Sequence, residues 1–128
     1  MNIRSSLKYT QEHLWVNQFV KNVYVGITEY FPQSRGKITK IDLEQGRSFK
    51  KGEVCGKIHT KKGKEKIIMP VSGIISTVNI NVFLNPSIFN HDFYSSWMMS
   101  ITTQNPGELK QLMTAEQYRK LTKTPVSK

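Results

Sequence analysis

The chain has little cysteine, few acidic residues and no long apolar segment, and each shortage excludes a class of protein. Among its 128 residues Cys55 is the only cysteine, so an internal disulfide is excluded. No apolar run approaches the roughly 18 residues that a membrane-spanning helix needs. Residues 1–8 also contain no apolar stretch of the kind found in a secretory signal. We therefore expect a cytoplasmic protein with no membrane attachment.

The shortage of acidic residues leaves the chain strongly basic. Nine Asp or Glu residues stand against 19 Lys or Arg residues, giving a formal net charge of +10, and residues 35–66 hold eleven of the basic residues and four of the acidic ones. Such a charge can hold phosphates or acidic proteins, but it is also typical of a solvated lysine-rich surface. The aromatic residues are not interleaved with the basic ones, as they are in proteins that stack nucleic-acid bases. Both interpretations stay open at this stage.

Short β-branched and aromatic runs, separated by Gly, Asn and Pro, dominate the chain. They predict a mainly β fold, a small sandwich or a flattened barrel. The length predicts a single domain over 1–128 with a core of about 8–104. Along the run 36–43 we expect a bulge near Lys40-Ile41 and burial of Ile38, Ile41 and Leu43. Among the predicted strands are 23–28, 36–43, 73–81 and 97–101, the last of which we expect to close the sheet.

Two helical segments are predicted from capping residues. Thr28 is expected to cap a short helical turn over 28–33, which Pro32 keeps short. The C-terminal region of about 107–121 contains Thr114 followed by Gln117 at the spacing of a capping box. A helix is therefore expected to begin after Thr114.

A charged segment between two apolar arms is the most informative stretch of the sequence. The arms, 54–58 and 66–69, predict a β-hairpin whose tip presents lysine amines to solvent. Cys55 falls in the apolar pattern of the first arm, so we expect a buried and unreactive thiol.

Several motifs, in their order along the chain, resemble those of one family, the H proteins of the glycine cleavage system. The resemblance extends from Lys8 to about Leu121. The motifs are Tyr9-Thr10-x-Glu12-His13-x-Trp15-Val16, Val25-Gly26-Ile27-Thr28-x-Tyr30, Pro70-Val71-Ser72-Gly73, Val78-Asn79, Asn85-Pro86, Asn90-x-Asp92, Trp97, Glu108-Leu109 and Ala115-Glu116-x-Tyr118.

The resemblance implies a lipoyl carrier with the flattened biotinyl/lipoyl "hammerhead" sandwich and a C-terminal helix. In that family the lipoyl-bearing lysine lies eight residues before the proline of the Pro-Val-Ser-Gly motif, and here that position is Lys62. The implied cofactor is covalently bound lipoate. The implied partners are glycine decarboxylase, aminomethyltransferase, dihydrolipoyl dehydrogenase and a lipoate ligase or lipoyl transferase, and the implied role is that of a monomeric carrier and not of an enzyme.

The hairpin tip departs from the family pattern in charge. Family members usually have a glutamate three residues before the lysine and an aspartate four residues after it, whereas here His59 and Lys66 occupy those positions. Lys61 and Lys64 add two further amines beside Lys62. These departures leave an alternative open, in which a diverged H-like protein without a lipoyl group acts as a lipoate relay or as a basic module that binds nucleic acid or acidic proteins.

No catalytic site or metal site is indicated by the sequence. His13, His59 and His91 do not have the spacing of metal ligands. His13 is interpreted as a structural residue, with shielding of a loaded arm as the alternative role.

Overall fold

The computed structural model describes residues 3–90 and 93–123. Over this part of the chain, β-strands alternate with short helices. The strands are β1 Lys8–Tyr9, β2 Leu14–Phe19, β3 Asn22–Ile27, β4 Ile38–Leu43, β5 Ser48–Phe49, β6 Val54–Thr60, β7 Gly63–Ile68, β8 Gly73–Val78 and β9 Trp97–Thr103. The α-helices are α1 Tyr30–Arg35, α2 Ile80–Leu84 and α3 Ala115–Thr122, and two 3₁₀ helices cover Pro86–Asn90 and Pro106–Gln111.

The strands form two antiparallel sheets. A six-stranded sheet has the order β1-β2-β3-β9-β8-β5, and a three-stranded sheet has the order β4-β6-β7. In the smaller sheet β6 is the central strand, and it forms a hairpin with β7. None of the helices in the described segments has the length and apolar content that crossing a membrane requires.

The main core lies between the two sheets. One continuous cluster of buried side chains joins Val25 and Ile101 of the larger sheet to Ile41, Ile58 and Ile67 of the smaller one. Each of these residues lies on the inward side of a strand, where alternation places every second side chain. The smaller sheet is therefore held by the apolar side chains of its inner face, and its outer face is left to solvent.

A second apolar cluster packs α3 against β1 and β2 of the larger sheet. It contains Tyr9, Trp15 and Tyr118, and the rings of Tyr9 and Tyr118 stack with centroids 4.5 Å apart. Thr114 caps α3 and forms the complete capping box with Gln117. The sequence prediction of a helix beginning after Thr114 is confirmed.

Two predicted strands differ in extent or position. β8 ends at Val78 and does not continue to residue 81, because Asn79 caps α2 by accepting the N–H of Asn81 and also donates its amide to the carbonyl of Trp97 at 2.8 Å. β9, predicted to close the sheet, lies between β3 and β8 in its interior and joins them.

The predicted role of Thr28 as a helix cap was wrong. Helix α1 begins at Tyr30 after Glu29, and the side chain of Glu29 makes no capping hydrogen bond. The hydroxyl of Thr28 instead lies 2.7 Å from the hydroxyl of Tyr118, a residue 90 positions away. A long-range partner therefore competes successfully with the local cap.

Local backbone predictions were more accurate. A register shift in β4 lies between Ile38 and Lys40, close to the predicted bulge. Ile38 and Ile41 are buried as expected, whereas Leu43, also predicted to be buried, is only partly so.

Candidate functional site

Lys62 lies in a two-residue turn at the tip of the β6–β7 hairpin. Thr60 pairs with Gly63, so Lys61 and Lys62 alone connect the two strands. The strands reach closer to the tip than the predicted arms 54–58 and 66–69, so that Lys64 and Glu65 lie in β7 and only Lys61 and Lys62 remain in the turn. Both lysines of the turn are exposed.

A threonine hydroxyl organises the backbone beneath Lys62. Oγ1 of Thr60 accepts the N–H of Lys62 at 3.1 Å, and it lies 2.9 Å from the carbonyl oxygen of Arg35 and 3.0 Å from that of Gly63. Its single proton can be donated to either carbonyl. The N–H of Lys61 also donates to the carbonyl of Lys37 at 3.0 Å. The turn is thus fastened to the segment that follows α1.

A glycine leaves room for the side chain of Lys62. Gly36 follows α1 with a φ of 100°, a conformation that residues with a side chain rarely adopt. A Cβ at this position would lie 3.1 Å from Cγ of Lys62 and 3.4 Å from its Cβ and Cδ. The stem of Lys62 therefore passes close over the backbone of Gly36, which directs the amine past the end of α1.

An ion pair also connects α1 with the hairpin. Nη1 of Arg35 lies 2.6 Å from Oε1 of Glu65, and both side chains are about one-third exposed. At this exposure the pair adds little stability, on the order of 0–1 kcal/mol. Its larger effect is on charge, because it neutralises Glu65, the acidic residue nearest to the three tip lysines in sequence.

Removal of the Thr60 hydroxyl is expected to loosen the turn. In a Thr60→Val variant the N–H of Lys62 and the carbonyl of Arg35 lose their shared partner, at a cost of about 1–2 kcal/mol in the free energy of unfolding. Urea unfolding measures that cost, and hydrogen exchange should be faster at the Lys62 amide.

Thr39→Val is the matched control for this prediction. Thr39 is exposed, and its hydroxyl makes a single bond, at 3.2 Å, to the carbonyl of His59. The control should have a much smaller effect, and equal losses in the two variants would contradict the role assigned to Thr60.

His13 belongs to a polar network that joins three distant segments. Its Nδ1 lies 2.7 Å from the hydroxyl of Tyr118, which in turn lies 2.7 Å from the hydroxyl of Thr28. Its backbone has a φ of 69°, and its ring lies near that of Tyr30. Burial lowers the pKa of His13 below its usual 6.5, and the charge of Arg35 adds to this effect. The geometry agrees with the structural interpretation of His13.

The lowered pKa of His13 predicts a loss of stability on mild acidification. The unfolded chain binds a proton at this histidine near pH 6.5 while the folded chain resists it, so stability is retained above that pH and falls as the pH decreases through it. We expect the free energy of unfolding to decrease between about pH 7.5 and about pH 5.5. Urea unfolding at the two pH values measures the decrease.

A His13→Asn variant isolates this contribution, because asparagine tolerates the left-handed backbone and does not titrate. The variant should show a smaller pH dependence than the native chain. An unchanged pH dependence would show that other groups cause the loss.

Cys55 is 5% exposed, and burial raises the pKa of its thiol to about 12. The prediction of a buried thiol is confirmed, and the raised pKa disfavours the reactive thiolate. Across residues 3–90 and 93–123, no three His, Cys, Asp or Glu side chains are grouped closely enough to hold a metal ion. His91 and Asp92 of the sequence motifs lie outside the described residues.

The basic residues predicted near the tip occupy two different places. Lys61 shares the turn with Lys62, whereas His59, Lys64 and Lys66 lie in strands. Nε2 of His59 is 2.6 Å from a carboxylate oxygen of Asp42, so this side chain is engaged in the sheet. The sequence did not reveal Thr60, Arg35 or Gly36 as supports of the turn. Their contacts with the turn depend on how α1 packs, and no local pattern indicates this.

A family model and individual relatives both match this sequence to glycine cleavage H proteins. The family model described as "Glycine cleavage H-protein" matches residues 7–125. The chain is 34% identical over 125 residues to glycine cleavage system H protein 1 of Caldanaerobacter subterraneus subsp. tengcongensis, and the alignment covers 97% of this chain and 100% of that protein. It is 36% identical over 125 residues to the probable glycine cleavage system H protein of Pyrococcus abyssi, with coverage of 95% and 93%.

A solved structure is similar over nearly its whole length. The crystal structure of a glycine cleavage system H protein from Mycobacterium marinum matches with a TM-score of 0.85 and 27% sequence identity, covering 94% of this chain and 99% of that one. Together with the two antiparallel sheets and the C-terminal helix, this similarity confirms the fold class predicted from the sequence.

Proposed function

Because this chain belongs to the glycine cleavage H-protein family, for which the role is that of a lipoyl carrier, we propose that its lipoyl group is attached to Nζ of Lys62. The observation that carries this proposal is the position of Lys62 in an exposed two-residue turn whose backbone is hydrogen-bonded to the end of α1. We propose further that the whole chain, residues 1–128, acts as one carrier domain.

The residues around Lys62 fit a covalently attached arm. An amide-linked group needs an accessible primary amine, and Lys62 is exposed with no carboxylate partner among the described residues. When bound, the lipoyl group supplies a disulfide for the transfer of an aminomethyl group and electrons. Thr60 holds the turn in place, and Gly36 leaves the lysine stem free of a side-chain clash.

The same geometry suits a carrier that visits several enzymes. A convex tip at the end of a hairpin can enter an active site, while the sheet behind it keeps the attachment point in a defined position. We propose that the partners are glycine decarboxylase, aminomethyltransferase and dihydrolipoyl dehydrogenase, and that a lipoate ligase or lipoyl transferase attaches the arm. The proposed role is that of a shuttled substrate and not of a catalyst.

Incubation with a lipoate ligase, lipoate and ATP tests the attachment. We expect the intact mass to increase by one lipoyl group, and peptide mapping after cleavage at acidic residues should place that group on Lys62. A group found on Lys61 or Lys64, or no increase in mass with a ligase that modifies a known carrier in the same assay, would overturn the proposal.

A further inference from the structure

The outer face of the three-stranded sheet carries an unbalanced positive charge. The strand registers place its outward-facing side chains in two rows across the sheet, and we call these six residues the cationic face. The four lysines are exposed, and the other two residues are partly buried. One row is Lys40, His59 and Lys64, and the other is Asp42, Lys57 and Lys66.

Only part of this charge is neutralised within the chain. Oδ2 of Asp42 lies 2.6 Å from Nε2 of His59, and Oδ1 lies 3.6 Å from Nζ of Lys40. The hydrogen bond from His59 lowers the pKa of Asp42, so this carboxylate is ionised and already engaged. Lys57, Lys64 and Lys66 have no carboxylate partner in the described segments.

One pairing in this arrangement is unfavourable for folding, although Lys57 also has Asp42 opposite it in the β4–β6 register. Lys57 and Lys66 are directly opposite each other in the β6–β7 register, and like charges in that position destabilise a sheet. Charged residues can be useful on an edge strand, where they prevent pairing with other chains. This explanation suffices for Lys64 and Lys66 on β7 but not for Lys57, because β6 is the central strand.

The cationic face adjoins the proposed attachment site. In β7, Lys64 of the first row comes two residues after Lys62, and Lys66 of the second row comes four residues after it. At about 3.4 Å per residue, they lie about 7 and about 14 Å from Lys62 along the strand. Both rows therefore begin close enough to Lys62 for an enzyme bound over the tip to contact them.

We propose that the cationic face is a docking surface for an acidic protein surface on an enzyme that acts on Lys62, an inference that rests on the proposed function. Three features favour a protein over a nucleic acid. None of its six residues is an aromatic side chain on which bases could stack or an arginine to grip phosphates in two-pronged hydrogen bonds, although Arg47 and Phe49 line the groove beside Asp42 and Lys57. The ionised Asp42 also lies within it and repels a phosphate backbone. An acidic protein surface can place its carboxylates opposite the three lysines and avoid Asp42.

The test compares two triple variants of equal net charge. One carries Lys57→Glu, Lys64→Glu and Lys66→Glu in the cationic face. The other carries Lys21→Glu, Lys110→Glu and Lys120→Glu at exposed positions in the β2–β3 turn, the second 3₁₀ helix and α3. Each variant lowers the formal charge from +10 to +4. A triple glutamine variant of the cationic face removes its charge without reversing it.

Binding of a labelled oligoglutamate peptide is measured by fluorescence anisotropy at low salt. We expect the glutamate variant of the cationic face to bind about tenfold more weakly than the native chain, as three exposed charge pairs imply, and the control variant to lose about twofold at most. The glutamine variant should lie between the native chain and the glutamate variant. Equal losses in the two triple glutamate variants would overturn the proposal, because binding would then follow net charge alone.

A duplex DNA of equal charge serves as the competing probe. If it binds the native chain more tightly than oligoglutamate does, and through the same three lysines, the face serves nucleic acid and the proposal is wrong. Both probes are used with a Lys62→Arg background, so binding does not depend on acylation. The intact mass of the protein that retains Lys62 shows separately whether the lipoyl group is attached. A failure of the proposed attachment can therefore be distinguished from a failure of the proposed docking surface.

Discussion

Replacement of Lys62 by arginine is expected to abolish the gain of one lipoyl group completely. Arginine preserves the positive charge and nearly the length of the side chain, but its guanidinium is not an amine that forms a stable amide in this reaction. The substituted side chain lies on the surface of a turn, so the fold should be unaffected. Intact-mass measurement after incubation with a lipoate ligase, lipoate and ATP gives an all-or-none result.

The neighbouring lysines provide matched controls. Lys61→Arg and Lys64→Arg are each expected to retain the full mass gain, because Lys61 adjoins the attachment position in the turn and Lys64 lies in β7. Unchanged labelling of the Lys62→Arg variant would contradict the assignment of the lipoyl group to Lys62. Because arginine keeps the positive charge, loss of labelling in a control variant would show instead that the amine of that neighbouring lysine is required.

Introduction of a single methyl group at Gly26 is expected to cause the largest loss of stability. Gly26 of β3 is paired with Trp15 of β2, and a Cβ at Gly26 would overlap the indole ring. That ring is 4% exposed and is fixed by a hydrogen bond of 2.9 Å from its Nε1–H to the carbonyl of Phe93. Because the ring is enclosed, Gly26→Ala should lower the free energy of unfolding by about 3 kcal/mol.

Thermal unfolding followed by circular dichroism measures this effect, with an expected decrease in the midpoint of about 10 °C. Gly107→Ala in the second 3₁₀ helix is the control. Its Cβ would meet one side-chain oxygen, that of Asn105 just before the helix, at 3.3 Å, and that side chain can shift. This control should change the midpoint little. A similarly small change for Gly26→Ala would mean that Trp15 relocates without cost.

Several motifs that are distant in sequence prove to be hydrogen-bond partners. The N–H and the hydroxyl of Ser72 donate to the two carboxylate oxygens of Glu108, at 2.6 and 2.9 Å. These residues belong to the Pro-Val-Ser-Gly and Glu-Leu motifs, which are 36 residues apart. The sequence shows both motifs but not their contact, since nothing in residue type or spacing encodes a pairing over that distance.

Thr28 illustrates the same limit from the opposite direction. Its residue type and position predicted a helix cap, and the folded chain uses its hydroxyl for Tyr118 of α3. Thr114 has the same local potential and does cap its helix, together with Gln117. Sequence reasoning fails where a competing partner comes from a distant element, and it succeeds where all partners lie within one turn.

The sequence by itself determined the β pattern, the hairpin, the capping box and the family resemblance that makes Lys62 the candidate attachment residue. Each of these depends on residues close together in the chain or on a fixed spacing. Only the tertiary structure decided that Thr60 and Gly36 support the turn, and that three lysines of β6 and β7 share one outer face. Those relations depend on the strand register and on the packing of α1, which long-range contacts fix.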